Sequence, residues 1–187
     1  MRTIETTVYS FDELNDEAKN KAIENIRESY YRNNDFAEWA IDDCYLLEPE
    51  DLQNEDTILI ENNRKVFFDL DRNRHLDISQ AMEIKDDERF LEWLGIKKDD
   101  FLDEDGYSII EYRINSDSID FDMTDWNVEF TKEQEDILND AKIKFKNHCN
   151  YILDRIEMGI EYRYSDEGIT EDIYSNDWEF TEDGSKY

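Results

Sequence analysis

Ser118-Ile119-Asp120-Phe121-Asp122-Met123, followed eight residues on by Thr131-Lys132-Glu133-Gln134, is the stretch that decides the fold. Ile119, Phe121 and Met123 alternate with Asp120 and Asp122, the period of a strand that packs one face and presents carboxylates about 6.8 Å apart on the other. Thr131 and Gln134 have capping-box spacing. Beyond them Ile137, Ala141, Phe145, Cys149, Ile152 and Ile156 recur three or four apart, which predicts a helix with one buried stripe. Carried to Tyr164 it would be about 50 Å long at 1.5 Å per residue, enough to span a domain, with Gly159 as a place for it to end or bend. A half-buried strand leading into a long amphipathic helix points to an α+β chain.

Residues 107–114 and 118–130 pattern as two strands, and residues 57–61 and 65–70, β-branched and aromatic around Asn62-Asn63-Arg64, as a hairpin. Residues 86–94 form a short predicted helix with Phe90, Leu91 and Leu94 inward and Gly95 as its stop. At the start, residues 2–9 alternate loosely as a first strand. Ser10 with Glu13, then Asn15, offer caps for a helix whose Ala18, Ala22, Ile26 and Tyr30 share a face. A further helix over 34–47, stopping near Pro49, sets Phe36, Ala40, Cys44 and Leu47 against Asp35, Glu38 and Asp42. Ile169 and Ile173 mark a last short helix, and residues 177–181 a final strand. The expected fold is α+β, a mostly antiparallel sheet flanked by helices with one long helix in the C-terminal half. It is expected as a single domain over 1–187, with a more helical N-terminal part over 1–56.

Charge is the chain's other dominant feature: 51 Asp and Glu against 21 Lys and Arg give a net charge of −30 over 187 residues. Such composition can mark disorder. Here aromatics make up 13%, with one Pro and five Gly, so the chain is expected to fold. The acids are uneven. Residues 33–63 hold ten acids and no base, and residues 99–129 hold eleven acids against Arg113 alone. A polyanion repels membranes and nucleic acid, and competes with nucleic acid for Lys- and Arg-lined grooves. No stretch approaches the roughly 18 apolar residues of a membrane span, and Cys44 and Cys149 are too few for a disulfide framework, so a soluble, cytoplasmic protein is expected.

The inventory for catalysis is thin. There is no Gly-rich phosphate loop, no nucleophile elbow and no paired-cysteine spacing, and only His75 and His148 are present as base or ligand, so no enzyme and no cofactor are expected. The alternation Asp69, Asp71, Asn73, His75, Asp77 is that of a calcium loop's first half. Arg74 stands where such a loop needs Gly and Gln80 where it needs a bidentate Glu, so solvated acids at a strand end are expected and no metal site. Residues 103–106 and 182–184 read as turns before anything else. Tyr30, Tyr31, Tyr107, Tyr112, Tyr162, Tyr164 and Tyr174 lie near acidic stretches and are expected to be partly exposed.

Residues 9–24, with Phe11-Asp12-Glu13-Leu14 and Ala18-Lys19-Asn20-Lys21-Ala22-Ile23-Glu24, and the closing Trp178-Glu179-Phe180-Thr181-Glu182-Asp183-Gly184 resemble a broad family of acidic accessory proteins of bacteriophages and prophages. Many members of that family carry a Gln-Gly-Asp-Gly motif in the central strands, which this chain lacks, so no role attached to that motif is carried over. The resemblance implies a phage accessory gene working in the host bacterial cytoplasm and no specific activity. By analogy the expected function is anti-defence: an acidic nucleic-acid mimic that occupies the basic cleft of a host nuclease, a CRISPR effector or a restriction enzyme. The expected contacts are Asp35, Glu38, Asp42, Asp43, Glu50, Asp51, Asp103, Glu104, Asp105, Asp117, Asp120, Asp122 and Asp125. The alternative is a non-catalytic structural or regulatory module whose acids give only solubility, dimerising along the 131–158 helix. Neither reading involves direct contact with nucleic acid or a membrane.

Overall fold

In a computed structural model, the structure describes residues 6–33, 58–60, 67–70, 75–79, 82–125 and 129–187. The fold is α+β. The chain groups into two compact units, Met1–Ala40 with Met158–Tyr187, and Ile41–Glu157.

The first unit joins the two ends of the chain. Ser10 and Glu13 do form a capping box, but it closes a single 3-10 turn, Phe11–Glu13. The helix proper, α1 (Asp16–Asn33), is capped by Asn15, whose Oδ1 accepts from the Ala18 N–H at 2.9 Å. A side chain that competes for the backbone before Leu14 delays the helix by one turn. The face of Ala18, Ala22 and Ile26 is buried with Phe11, Leu14, Ile169, Ile173 and Phe180. Residues 2–5 of the predicted first strand lie outside the described residues; its described end and the predicted final strand meet in one antiparallel bridge, Tyr9 with Phe180, with N–H to O distances of 2.8 and 2.9 Å. Residues 177–181 do not continue as a strand because Phe180 turns back through Thr181 to pair with Lys186. Lys21 Nζ donates to Asp183 at 2.6 Å, and that bond, ahead of those from Thr181 and Ser185, holds the Asp183 carboxyl far below the usual range. Arg163 donates to both oxygens of Asp172 at 2.6 and 2.8 Å, and the Tyr30 hydroxyl adds a third bond at 2.8 Å.

In the second unit, the strands expected over 107–114 and 118–130 are β5 (Ile110–Asn115) and β6 (Ser118–Met123), which pair as an antiparallel hairpin in register Tyr112 to Phe121 and Ile114 to Ile119. Among the described residues the expected hairpin of 57–61 with 65–70 is not formed. β1 (Ile58–Ile60) pairs instead with β4 (Met82–Ile84), and β2 (Phe67–Asp69) with β3 (His75–Asp77), both antiparallel and one nested inside the other. Three-residue partners carry too little alternation to be seen in sequence, and pairing across a longer loop costs little extra closure entropy. The strands among the described residues therefore form three two-stranded antiparallel pairs rather than one sheet.

Helix α2 (Asp87–Leu94) is capped by Asp86, which accepts from Arg89 N, and closed at Gly95. It buries Phe90, Trp93 and Leu94, while Leu91 is only half-buried. Helix α3 (Lys132–Tyr164) opens on the predicted Thr131/Gln134 box and runs through Gly159 without ending. Its stripe is Leu138, Ala141, Phe145, Cys149, Ile152, Leu153 and Ile156, with Ile137 half-buried beside it. Phe90 meets Phe145 edge-on at 6.4 Å, fixing α2 to α3. Helix α4 (Asp166–Ser175), capped by Ser165, returns to the first unit with Ile169 and Ile173 inward. The predicted helix over 34–47, with Cys44, lies outside the described residues.

Two glycines in equivalent left-handed turns test how the ends are joined. At Gly106 (φ +85°) a methyl group would meet nothing within 4 Å, whereas at Gly184 (φ +81°) it would lie 2.2 Å from the Ala18 carbonyl oxygen. Gly106→Ala is expected to cost about 1–2 kcal/mol, the left-handed backbone penalty alone, and Gly184→Ala about 3 kcal/mol or more, measured by urea denaturation.

Candidate functional site

Of the thirteen acids expected to make contacts, Asp35, Glu38, Asp42, Asp43, Glu50 and Asp51 lie outside the described residues. The other seven belong to the second unit, and they fall into two groups of different character.

The β5–β6 turn and strand β6 carry the first group. Asp120 and Asp122 stand outward as the alternation predicts, while Ile119 and Phe121 are buried. Their charge is met locally. Asp120 accepts from Asn115 Nδ2 at 2.8 Å and lies 3.9 Å from Lys142 Nζ, and Asp122 lies 3.9 Å from Arg113. Asp117 is the most enclosed, its side chain 14% exposed, bonded by Lys146 from α3 and 3.7 Å from His75 Nδ1 on β3. Between β6 and α3 runs an open groove of about 480 Å³ with Asp117, Asp120, Lys142 and Lys146 on its walls and Ile143 at its edge. Two carboxylates beside two ammonium groups make this surface near-neutral rather than a bare acidic ladder. The sequence conceals it: Lys142 and Lys146 look like part of a helix's solvated face, and only the fold sets them against the strand.

In the second group, Asp103, Glu104 and Asp105 have no ion pair among the described residues. Asp103, Glu104 and Asp105 are exposed in a tight loop, with Asp99 and Asp100 exposed just before it and Tyr107 72% exposed at its end. Residues 99–111 contain six acids and no base. The loop is nonetheless firmly built. Asp103 N donates to Tyr107 O at 2.8 Å and Gly106 N to Asp103 O at 3.1 Å, and the Asp103 carboxylate takes the N–H groups of Asp105 and Tyr107 at 2.9 and 2.8 Å. Its stem is held by buried Phe101 and Ile109, joined N–H to O at 2.8 Å. Asp125 is exposed beyond β6.

Of the calcium-like run, Asp71 and Asn73 lie outside the described residues. Asp69 pairs with His75 across β2 and β3, and the Ser79 hydroxyl, against partial burial and helped by the Ser79 N–H and the Ser116 hydroxyl, holds the Asp77 carboxyl below the usual range. Among the described residues no cluster of three or more metal-ligating side chains occurs, and no helix is long and apolar enough to cross a membrane. His148 meets Trp93 edge-on at 5.4 Å, beside buried Cys149. Tyr31, Tyr162 and Tyr174 are exposed, and Tyr30, Tyr112 and Tyr164 half-buried.

Compared with protein-family models, with curated proteins and with solved structures, the chain has no match in any of the three.

Removing the ammonium beside an enclosed carboxylate strands its charge, so Lys146→Ala is expected to destabilise the protein by about 1–3 kcal/mol. Lys142→Ala, beside exposed Asp120, should change stability by about 0.5 kcal/mol or less in the same thermal melts. Burial pushes the Cys149 thiol up to about 12. The folded protein is therefore expected to resist iodoacetamide at this cysteine at pH 8, to react there once unfolded, and to lose stability as pH rises from about 9 towards the folded value, where only the unfolded chain ionises freely.

Proposed function

We propose that this chain inhibits a bacterial defence nuclease, a CRISPR effector or a restriction enzyme, by lodging acidic side chains in its nucleic-acid cleft. The observation that carries the reading is the uncompensated charge: a net −30 on a folding chain, with the base-free, exposed acids of residues 99–105 as its most open described part. A cleft built to hold nucleic acid has Lys and Arg side chains whose attraction to carboxylates needs no base sequence. The resemblance of the end motifs to acidic phage proteins supports a target in a bacterial host. The mechanism is occupancy, without catalysis or direct contact with nucleic acid. Within it, Asp117, Asp120 and Asp122 have a smaller part than Asp99, Asp100, Asp103, Glu104 and Asp105, because the first three already have basic neighbours.

The second reading, a dimerising interaction module, has its own support: Ile143 and Tyr151 on α3 are 58% and 40% exposed. Salt separates the two, since contacts between opposite charges weaken as salt rises and apolar pairing between two like-charged copies strengthens.

In lysate of a defended host at low salt, the tagged protein is expected to retain a nucleic-acid-binding nuclease and to inhibit its cleavage, with retention falling steeply by 0.5 M salt. The Asp99→Lys, Asp100→Lys, Glu104→Lys variant should inhibit at least about tenfold more weakly, as the loss of some 1.4 kcal/mol or more requires. Full inhibition by that variant, together with a salt-strengthened dimer in sedimentation, would support the module instead.

A further inference from the structure

The chain builds the same hairpin twice. Residues 181–185 close with Thr181 N donating to Ser185 O and Gly184 N to Thr181 O, both at 2.9 Å, and residues 103–107 repeat the pattern at 2.8 and 3.1 Å. An antiparallel bridge flanks each, Phe180 with Lys186 and Leu102 with Ser108. Each has Glu-Asp-Gly at its tip and a left-handed glycine, at φ +81° and +85°. Both are five-residue hairpin loops of the kind that places glycine at the bulge.

Their surroundings differ. The 181–185 hairpin is docked on helix α1: its glycine lies so close to the backbone that a methyl group there would stand 2.2 Å from Ala18 O, and its aspartate takes the ammonium of Lys21, three residues along that helix, at 2.6 Å. A small residue allows the approach and the lysine at i+3 lies on the same face to meet the carboxylate. The 103–107 hairpin has the same glycine in open space, and among the described residues its Asp105 carboxylate has no partner. In Asp183 one carboxylate serves both the loop and the helix. In the second hairpin Asp103 takes over the loop N–H groups, which leaves Asp105 uncommitted.

We propose that the 103–107 hairpin is a docking element for a helix of a partner protein, one that presents a small residue followed three positions later by lysine. The internal pair supplies the docking geometry. Complementary charge supplies the direction, since the six acids and no base of residues 99–111 favour a cationic helix. Tyr107, where the docked hairpin has Ser185, adds an exposed ring suited to the stem of the lysine or to a neighbouring guanidinium. The inference requires a cationic partner but no particular one, so it stands apart from the identity of the nuclease.

The test is an NMR titration of the full chain, at 0.15 M salt, with a side-chain-stapled helical peptide copying residues 15–27. Shifts are expected at Asp105, Gly106 and Tyr107. They should fall at least fivefold for the peptide lacking the lysine (Lys21→Ala), for the peptide of unchanged charge with a bulkier contact (Ala18→Leu), and for the Asp105→Asn chain. Equal shifts with the Ala18→Leu peptide would reduce the effect to unspecific charge attraction and overturn the proposal. So would shifts confined to residues 181–185, which would mean exchange with the chain's own α1, or no shifts at all. The nuclease takes no part in this measurement, so its failure leaves the inhibitory reading standing, and a failed pull-down leaves this one standing.

Discussion

The first unit depends on one close approach, the seating of Gly184 against the Ala18 carbonyl of α1, because it is there that the two ends of the chain become one body. Phe180, fully buried with Ala18, Ala22 and Ile169, contributes about 2–3 kcal/mol of apolar burial, and that burial is available only if the backbone at residue 184 can pass where a side chain cannot. The Tyr9–Phe180 bridge and the Lys21–Asp183 ion pair then fix register rather than supply most of the stability, since the ion pair is largely exposed. The two end motifs of the sequence, residues 9–24 and 178–184, are the residues that meet here. Their spacing across more than 150 residues of chain is accounted for by packing, with no activity required of them.

A net charge of −30 opposes every compact state by self-repulsion, and the described residues offset it by local pairing more than by spreading. Arg27 reaches Glu24 and Asp166, Arg163 grips Asp172, Lys146 reaches Asp117, and Lys142 and Arg113 stand by Asp120 and Asp122. With bases outnumbered more than two to one, each such pairing leaves the remaining acids less compensated elsewhere. The excess is thereby concentrated. A sequence window treats residues 99–129 as one acidic block, whereas the fold divides it into a near-neutral strand face and a bare loop.

What was legible follows from the range of the interactions involved. The cap at Thr131, the stop at Gly95 and the alternation over 118–123 are local, settled within four residues, and each was readable as written. Ser10 and Glu13 were equally visible but capped only a 3-10 turn, because Asn15, further along the chain, caps α1 itself. Strand partners were not legible: β1 and β2 look like a hairpin to any local reading, and the choice of β4 and β3 instead is made over distances that carry no short pattern. For the candidate site, exposure at Asp103, Glu104 and Asp105 could be read from turn chemistry, while the neutralising of Asp117 by Lys146, 29 residues away, could not.

The same reasoning bears on why one chain would keep two copies of a hairpin that glycine makes costly. A left-handed glycine raises the entropy lost on folding, and a docked hairpin recovers that loss through the contacts made at its tip, as at Gly184. At Gly106 an added methyl group would meet nothing within 4 Å among the described residues, yet the loop has the same two closing backbone hydrogen bonds as its counterpart and its stem is anchored by Phe101 and Ile109. Rigidity without a contact to show for it lowers the entropy still to be lost when a contact is made, which is the condition for recognition by a preformed surface. The acids at that tip would then act through geometry as well as charge, with Asp105 aimed and not merely present, and a polyanion of this kind could discriminate among basic partners that charge alone would treat alike.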